Sequence, residues 1–141
     1  MLYTVGYERR DLDELIELLE QHRVEQLIDV RFNASSRKPG YAKSRLSQAL
    51  ATAGIGYRHL SALGNPRENR EPLRRGEPDA IAAYRARLDE APDAVEVVAR
   101  AAADHDVALL CYERDPSGCH RALVADAVVQ LAPSVNLHHL R

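Results

Sequence analysis

The apolar run Val107–Cys111 constrains the fold of this chain more than any other stretch. A strand that is apolar at successive positions, and not only at alternate ones, is typical of a central strand in a parallel sheet that helices cover on both faces. A turn of Asp, Pro, Ser and Gly follows, and Cys119-His120-Arg121 then begins a helical pattern. The sequence therefore predicts a buried strand, a short loop and a helix.

The rest of the chain alternates strand-like and helix-like segments. A capping box of Asp11 and Glu14 begins the first helix, whose apolar residues recur at helical spacing. Further strands are predicted at residues 1–5, 26–30, 55–60 and 135–140, and further helices at 46–53, after the N-caps Asp79 and Asp93, and from Cys119 or His120 to Leu131. Residues 64–78, with three prolines and four arginines, are predicted to form an irregular loop that is a functional lid or partly disordered.

Strands that alternate with helices indicate βαβ units, which build a parallel sheet with right-handed crossovers. We therefore predict a single α/β domain over residues 1–141, a Rossmann-like three-layer sandwich with a mainly parallel sheet of about five strands. In such a sheet the carboxyl ends of the strands lie at one edge, where ligands bind. The side chains expected to gather at this edge are Tyr7, Glu8, Asp29, Arg31, His59, Cys111 and Glu113.

Composition narrows the functional class. A chain of 141 residues with 45% hydrophobic and 28% charged residues is typical of one soluble domain. It has no signal-like apolar segment and no long uncharged run, so we predict a cytoplasmic protein without a membrane partner. A net charge of −2 argues against a protein that coats nucleic acid. Seventeen arginines accompany two lysines, which reflects either a GC-rich genome or bidentate recognition of anions.

The segment at residues 31–45 contains five basic residues and no acidic residue. Ser35-Ser36 and Pro39-Gly40 indicate that it is a loop. It follows a strand and should face the start of the last helix, which Ser117 is expected to cap and whose free N–H groups attract anions. We predict an anionic ligand at this edge, either a phosphate, a nucleotide or a nucleic acid. The residues predicted to bind it are Tyr7, Asp29, Arg31, Arg37, His59, Arg114 and Arg121.

The two cysteines of the chain, Cys111 and Cys119, both lie around the turn that follows the fourth strand. In a cytoplasmic protein both thiols are expected to be free, and Cys111 is expected to be a buried apolar filler. Cys119 lies at a helix start beside His120, which favours a reactive thiol. No metal is predicted, because the spacing is unlike common zinc motifs. Four ligands would also require the adjacent Cys119 and His120 to face inward together with His59.

Glu113 follows an apolar strand and lies among arginines. One interpretation is an ion pair that shapes the loop, for instance with Arg31 or Arg121. The other is a general base or a nucleophile, because a carboxylate beside arginines stays ionised. Glu113, Cys119 and His120 are the predicted catalytic residues.

Several short stretches resemble a family catalogued as a domain of unknown function, number 488. They are Thr4–Tyr7, Asp29-Val30-Arg31 with Ser36-Arg37, His59-Leu60 with Leu63-Gly64, and the signature of Cys111, Glu113 and Cys119-His120-Arg121. The signature is specific, whereas Ala34 stands where the family often has proline. The resemblance implies a compact α/β domain with these residues at a shared site, and it supplies no reaction.

Three functional hypotheses follow. The leading one is an enzyme that acts on a nucleotide, a nucleic-acid end or a phosphorylated small molecule. The alternatives are a non-catalytic module that binds a nucleic acid or another partner, and a thiol or metal sensor that uses Cys111 and Cys119. Phosphate dependence separates the first two from the third, and turnover separates the first from the second. The sequence identifies neither a cofactor nor an oligomeric state.

Overall fold

Five parallel strands form one sheet in the computed structural model, which describes residues 1–141. The strands are β1 (Leu2–Gly6), β2 (Gln26–Asp29), β3 (Gly56–His59), β4 (Val107–Cys111) and β5 (Leu137–His139). Their order is β3-β2-β4-β1-β5, and every neighbouring pair is parallel. β4 is thus the central strand and is buried throughout, as its apolar sequence predicts. The predicted α/β fold with about five parallel strands is confirmed.

Helices cover both faces of the sheet. They are α1 (Leu12–Gln21), α2 (Lys43–Thr52), α3 (Arg70–Arg74), α4 (Pro78–Asp89), α5 (Pro92–Asp104) and α6 (His120–Leu131). Successive residues of a strand point to opposite faces. Ala108 and Leu110 of β4 therefore pack with α1 and α2, whereas Val107 and Leu109 pack with α4, α5 and α6. The result is the predicted three-layer sandwich.

The first and last helices begin at residues that cap them. Asp11 accepts a hydrogen bond from the Glu14 N–H at 2.8 Å and completes the predicted capping box of α1. Cys119 is the N-cap of α6, so the prediction that Ser117 caps it is wrong. Ser117 lies instead in the short 3₁₀ turn Pro116–Gly118, where its N–H donates to Asp115.

α4 and α5 each begin with a proline, Pro78 and Pro92. The fixed φ of proline suits the first helical position, where its missing N–H has no intrahelical partner to lose. The N-caps are consequently Glu77 and Ala91, and not the predicted Asp79 and Asp93.

Residues 64–78 contain regular secondary structure, which corrects the prediction of an irregular loop. They contain the 3₁₀ turn Arg67–Asn69 and helix α3. The Asn69 amide donates to Asn65 at 2.9 Å and to the Ala80 carbonyl at 3.0 Å, and the Leu73 side chain is buried. These contacts join the segment to α4. Its conformation is therefore held by side-chain partners and not by a repeating hydrophobic pattern within the segment.

None of the six helices combines the length and the apolar character that a membrane-spanning helix needs.

Candidate functional site

A cleft of about 530 Å³ lies at the carboxyl edge of the sheet. Three segments and Tyr7 line it, and the segments are the loop after β2, residues 65–73, and the end of β4 with the turn that joins it to α6. A shallower concavity of about 640 Å³ lies near the amino ends of β2 and β3, and none of the predicted site residues lines it. The cleft is therefore the candidate site.

Two arginines at the cleft have no hydrogen-bond or ion-pair partner in the protein. Arg37 comes from the loop after β2, and Arg67 comes from the 3₁₀ turn Arg67–Asn69. Both side chains are exposed. Arg37 was predicted from the basic run, whereas Arg67 was not. The sequence feature that could have indicated Arg67 is the group of four arginines in residues 64–78. The packing of α3 determines where this segment lies relative to the cleft.

Glu113 is the only acidic residue that lines the cleft, and it is 7% exposed. Its Oε1 accepts hydrogen bonds from Arg70 Nε and from Arg74 Nη2, each at 3.0 Å. Burial alone would raise the pKa of Glu113, but the hydrogen bonds from Arg74, from its own backbone and from Arg70 lower it below its usual value. The suggested partners Arg31 and Arg121 are wrong, because α3 supplies both guanidinium groups.

His120 lies in the cleft wall as the first residue of α6. Its Nε2 is 2.7 Å from the Val30 carbonyl oxygen, which can only accept, so Nε2 carries the proton. Burial lowers the pKa of His120 below its usual value, which favours the neutral form of the ring. The Nδ1 atom consequently has a free lone pair, and it lies 3.7 Å from Cys119 Sγ.

The two cysteines are joined by a disulfide bond, so the prediction of two free thiols is wrong. Cys111 ends β4 and Cys119 caps α6, and the turn between them brings both buried sulfurs to the same side of the cleft wall. The prediction relied on the redox state of the compartment. The short separation of the two cysteines in the sequence had left a disulfide possible, and only the compartment argued against it.

Asp29 and Arg31 form a buried ion pair at the end of β2. Arg31 Nε and Nη2 donate to the two oxygens of Asp29 at 2.8 and 2.7 Å, and the Tyr57 hydroxyl donates to the same carboxylate at 2.6 Å. The remaining Arg31 nitrogen, Nη1, donates to the Tyr41 carbonyl at 2.7 Å and to the Tyr7 hydroxyl at 3.4 Å. Burial alone would lower the pKa of Arg31, but Asp29 raises it above its usual value. Each guanidinium nitrogen of Arg31 thus has a partner in the protein, and the pair positions the loop after β2.

Arg121 is fully buried and braces the turn after β4. Its guanidinium donates to the carbonyls of Glu113 and Arg114, the second at 3.1 Å, and lies 3.2 Å from Cys111 Sγ. Burial lowers the pKa of Arg121 to about 10. The turn passes so close to β1 that a Cβ atom on Gly6 would lie 1.9 Å from the Glu113 carbonyl oxygen. Arg121 therefore stabilises the turn that carries Glu113 and does not itself line the cleft.

The predicted site residues separate into two groups. Those that line the cleft are Tyr7, Arg31, Arg37, Glu113, Cys119 and His120. Asp29, His59, Arg114 and Arg121 do not line it. His59 Nε2 is 2.8 Å from the Arg31 carbonyl, and Arg114 donates to the Arg9 carbonyl at 3.3 Å, so both contact the backbone around the site.

A family model described as "Domain of unknown function DUF488" matches residues 11–128. The chain belongs to this family. The DUF488 match contains the loop after β2, helix α3, both cysteines and Glu113, and it leaves out β1 and β5. The resemblance seen in the sequence is thereby confirmed at the level of the family. No curated protein and no solved structure matches the chain.

Proposed function

We propose that the chain is an enzyme that binds a phosphorylated substrate in the cleft, either a nucleotide, a nucleic-acid end or a phosphorylated small molecule. The charge distribution of the cleft carries this proposal. Its one carboxylate, Glu113, is already paired with Arg70 and Arg74, whereas Arg37 and Arg67 have no protein partner. Guanidinium groups bind phosphate through two parallel hydrogen bonds. The cleft therefore has two cations available for an anionic group.

The start of α6 adds to the attraction for an anion. Gly118, Cys119 and His120 lie in the cleft wall where this twelve-residue helix begins. The N-terminus of a helix carries a partial positive charge and unpaired N–H groups. This field and the two free arginines act on the same cleft.

Two acceptor atoms in the wall suit proton transfer. Glu113 Oε2 accepts no hydrogen bond from an arginine, because Arg70 and Arg74 both donate to Oε1. His120 Nδ1 has a free lone pair because Nε2 is occupied by the Val30 carbonyl. Either atom fits a general base that removes a proton from an attacking water or hydroxyl. Cys119 is bonded to Cys111 in this structure, so it acts as a nucleophile only after reduction.

Phe32 favours a nucleotide among the phosphorylated substrates. Phe32 lines the cleft and is 40% exposed as a residue, and the guanidinium of Arg87 lies 5.2 Å from the ring centroid. An exposed aromatic ring stacks on any nucleobase. Nucleoside monophosphates are therefore expected to bind more tightly than inorganic phosphate or ribose phosphate. Mass spectrometry of a metabolite extract incubated with the protein identifies the substrate that is consumed.

Replacing both free arginines tests the phosphate site. The double variant Arg37→Ala, Arg67→Ala is expected to bind phosphate at least tenfold more weakly, because each charge-assisted hydrogen bond contributes roughly 1.5–3 kcal/mol before solvent screening. Calorimetric titration with inorganic phosphate measures the change. The matched control is Arg58→Ala, Arg85→Ala, which removes two exposed arginines outside the cleft. Equal phosphate affinities in the two double variants would contradict the proposed site, and nucleotide binding without turnover would favour the binding-module alternative.

A further inference from the structure

We propose that Cys111, Cys119 and His120 bind a divalent metal ion of the zinc class when the disulfide is reduced. The two sulfur atoms and the histidine ligand nitrogen lie within 4.8 Å of one another, and all three residues are buried. Thiolate and imidazole are the characteristic ligands of zinc in proteins. This site is separate from the proposed phosphate contacts at Arg37 and Arg67, and it does not depend on them.

From the sequence, two adjacent residues such as Cys119 and His120 were not expected to face the same metal ion. The structure shows that they can. Cys119 has extended backbone angles as the N-cap, whereas His120 is already helical. Both side chains consequently reach the same side of the turn, where Cys119 Sγ and His120 Nδ1 are 3.7 Å apart. Cys111 reaches the same point from the end of β4. His59 is not needed, since it contacts the Arg31 carbonyl elsewhere.

The hydrogen bond from His120 to the Val30 carbonyl is the arrangement found around metal-binding histidines. Such a histidine usually donates its second ring N–H to a carbonyl or carboxylate, which fixes the tautomer and the ring orientation. Here Nε2 is held at 2.7 Å, so Nδ1 is the nitrogen left to bind a metal. The ring is buried and packs edge-on against Tyr84, which further restricts its orientation.

Arg121 provides independent support, because it is a fully buried guanidinium with no carboxylate at ion-pair distance. Its Nη1 lies 3.2 Å from Cys111 Sγ, and its backbone N–H lies 3.5 Å from Cys119 Sγ. A buried charge without a counter-ion is costly. Thiolates at these two positions would supply the missing negative charge, and thiolates are the form in which cysteine binds metal.

Cys111, Cys119 and His120 all line the cleft, so the set of ligands has a side that faces it. Three protein ligands with room for a further group are typical of catalytic zinc, whereas structural zinc has four protein ligands. Glu113 Oε2 lies 3.6 Å from Cys111 Sγ, so a carboxylate oxygen is adjacent to the ligand set. A zinc-class ion here would supply a Lewis acid next to the proposed phosphate site.

Occupation of the site requires reduction of the disulfide. A phosphine reductant cleaves the S–S bond with two electrons, water supplies two protons and the phosphine becomes its oxide. The metal ion then replaces the two thiol protons, which are released to solvent. The disulfide form has no thiolate ligands and is expected to bind no metal at this site.

Cobalt titration of the reduced protein tests the proposal. After anaerobic reduction and removal of the phosphine, one Co²⁺ per chain is expected to bind with thiolate-to-cobalt charge-transfer absorption, and Zn²⁺ should displace it. His120→Asn is expected to weaken Co²⁺ binding by more than about 10-fold, because it removes a direct ligand and loss of an outer-shell partner alone costs roughly 10–100-fold. His59→Asn is the matched control and should leave the affinity unchanged, because His59 lies outside the ligand set.

A second measurement uses only the wild-type protein, so its result does not depend on whether a variant folds. X-ray absorption of the zinc-loaded wild-type protein should show two sulfur ligands at about 2.3 Å and a nitrogen ligand at about 2.0–2.1 Å. A reduced protein with two titratable thiols that binds no Co²⁺ would overturn the proposal, as would unchanged affinity in His120→Asn. When air is then admitted as the oxidant, formation of the disulfide at the same rate with and without excess Co²⁺ would also overturn the proposal and would assign the pair to thiol–disulfide chemistry. Because these readouts need no phosphorylated ligand, their failure would leave the phosphate titration unaffected.

Discussion

Glu113→Gln is expected to lower turnover of the cleft's substrate by at least 100-fold, because the variant removes the proposed general base and general base catalysis contributes about 10²–10⁴-fold. Phosphate affinity should stay within a few-fold, since Arg37 and Arg67 remain. The variant should also lose about 1–2 kcal/mol of stability, because a neutral amide accepts weaker hydrogen bonds from the half-exposed Arg70 and Arg74. Steady-state rates, phosphate titration and chemical denaturation measure the three quantities.

Glu71→Gln is the matched control for this variant. Glu71 also pairs with Arg74, at 3.2 Å, but its side chain is 62% exposed and it does not line the cleft. Its loss is expected to change stability by less than about 0.5 kcal/mol and to leave turnover unchanged. Full activity in a folded Glu113→Gln protein would remove Glu113 from the mechanism and would leave His120 Nδ1 as the candidate general base.

Asp29→Ala is expected to cause the largest loss of stability of any single change considered, about 3–5 kcal/mol. The carboxylate is fully buried and accepts from Arg31 Nε and Nη2 and from the Tyr57 hydroxyl. Removing it leaves a buried guanidinium without its counter-ion and a half-buried hydroxyl without its acceptor. The loop after β2 should lose its anchor as well, so phosphate binding through Arg37 should weaken in the same variant. Urea denaturation monitored by circular dichroism measures the loss of stability.

Glu96→Ala is the control for an ion pair that does not hold the fold together. Its partner Arg100 is 78% exposed, and Glu96 itself is 48% exposed. The expected change in stability is below about 0.5 kcal/mol. A loss of less than about 1 kcal/mol in Asp29→Ala would show that the buried pair contributes little to stability. Replacement of buried ion pairs in some other proteins has a similarly small effect. Such a small loss would return Arg31 to the set of candidate ligand-binding residues.

The fold was predictable because it depends on patterns that are local in the sequence. The unbroken apolar run Val107–Cys111 indicated a strand covered on both faces, and it is the central strand of the sheet. The capping box at Asp11 and Glu14 marked the start of α1. Alternation of strands and helices then implied parallel strands whose carboxyl ends share one edge, and the cleft lies at that edge.

The partners of individual polar side chains were not predictable in the same way. Glu113 pairs with Arg70 and Arg74, which lie about forty positions away in a segment without hydrophobic periodicity. That segment is ordered by side-chain hydrogen bonds such as those of Asn69, which leave no repeating signal. The sequence consequently placed the carboxylate correctly and its arginines wrongly.

Residue types and their order along the chain were sufficient to determine which elements form and which edge of the sheet holds the polar residues. The direction of each side chain at that edge came from the path of the backbone. Arg121 belongs to the Cys-His-Arg triplet, but it does not line the cleft as Cys119 and His120 do. Its guanidinium donates instead to the carbonyls of Glu113 and Arg114. The close contact of Gly6 with the turn after β4 holds this path. Hydrophobic periodicity is averaged over many residues, whereas a hydrogen bond depends on a few ångströms between two atoms, and only packing of the whole chain determines that distance.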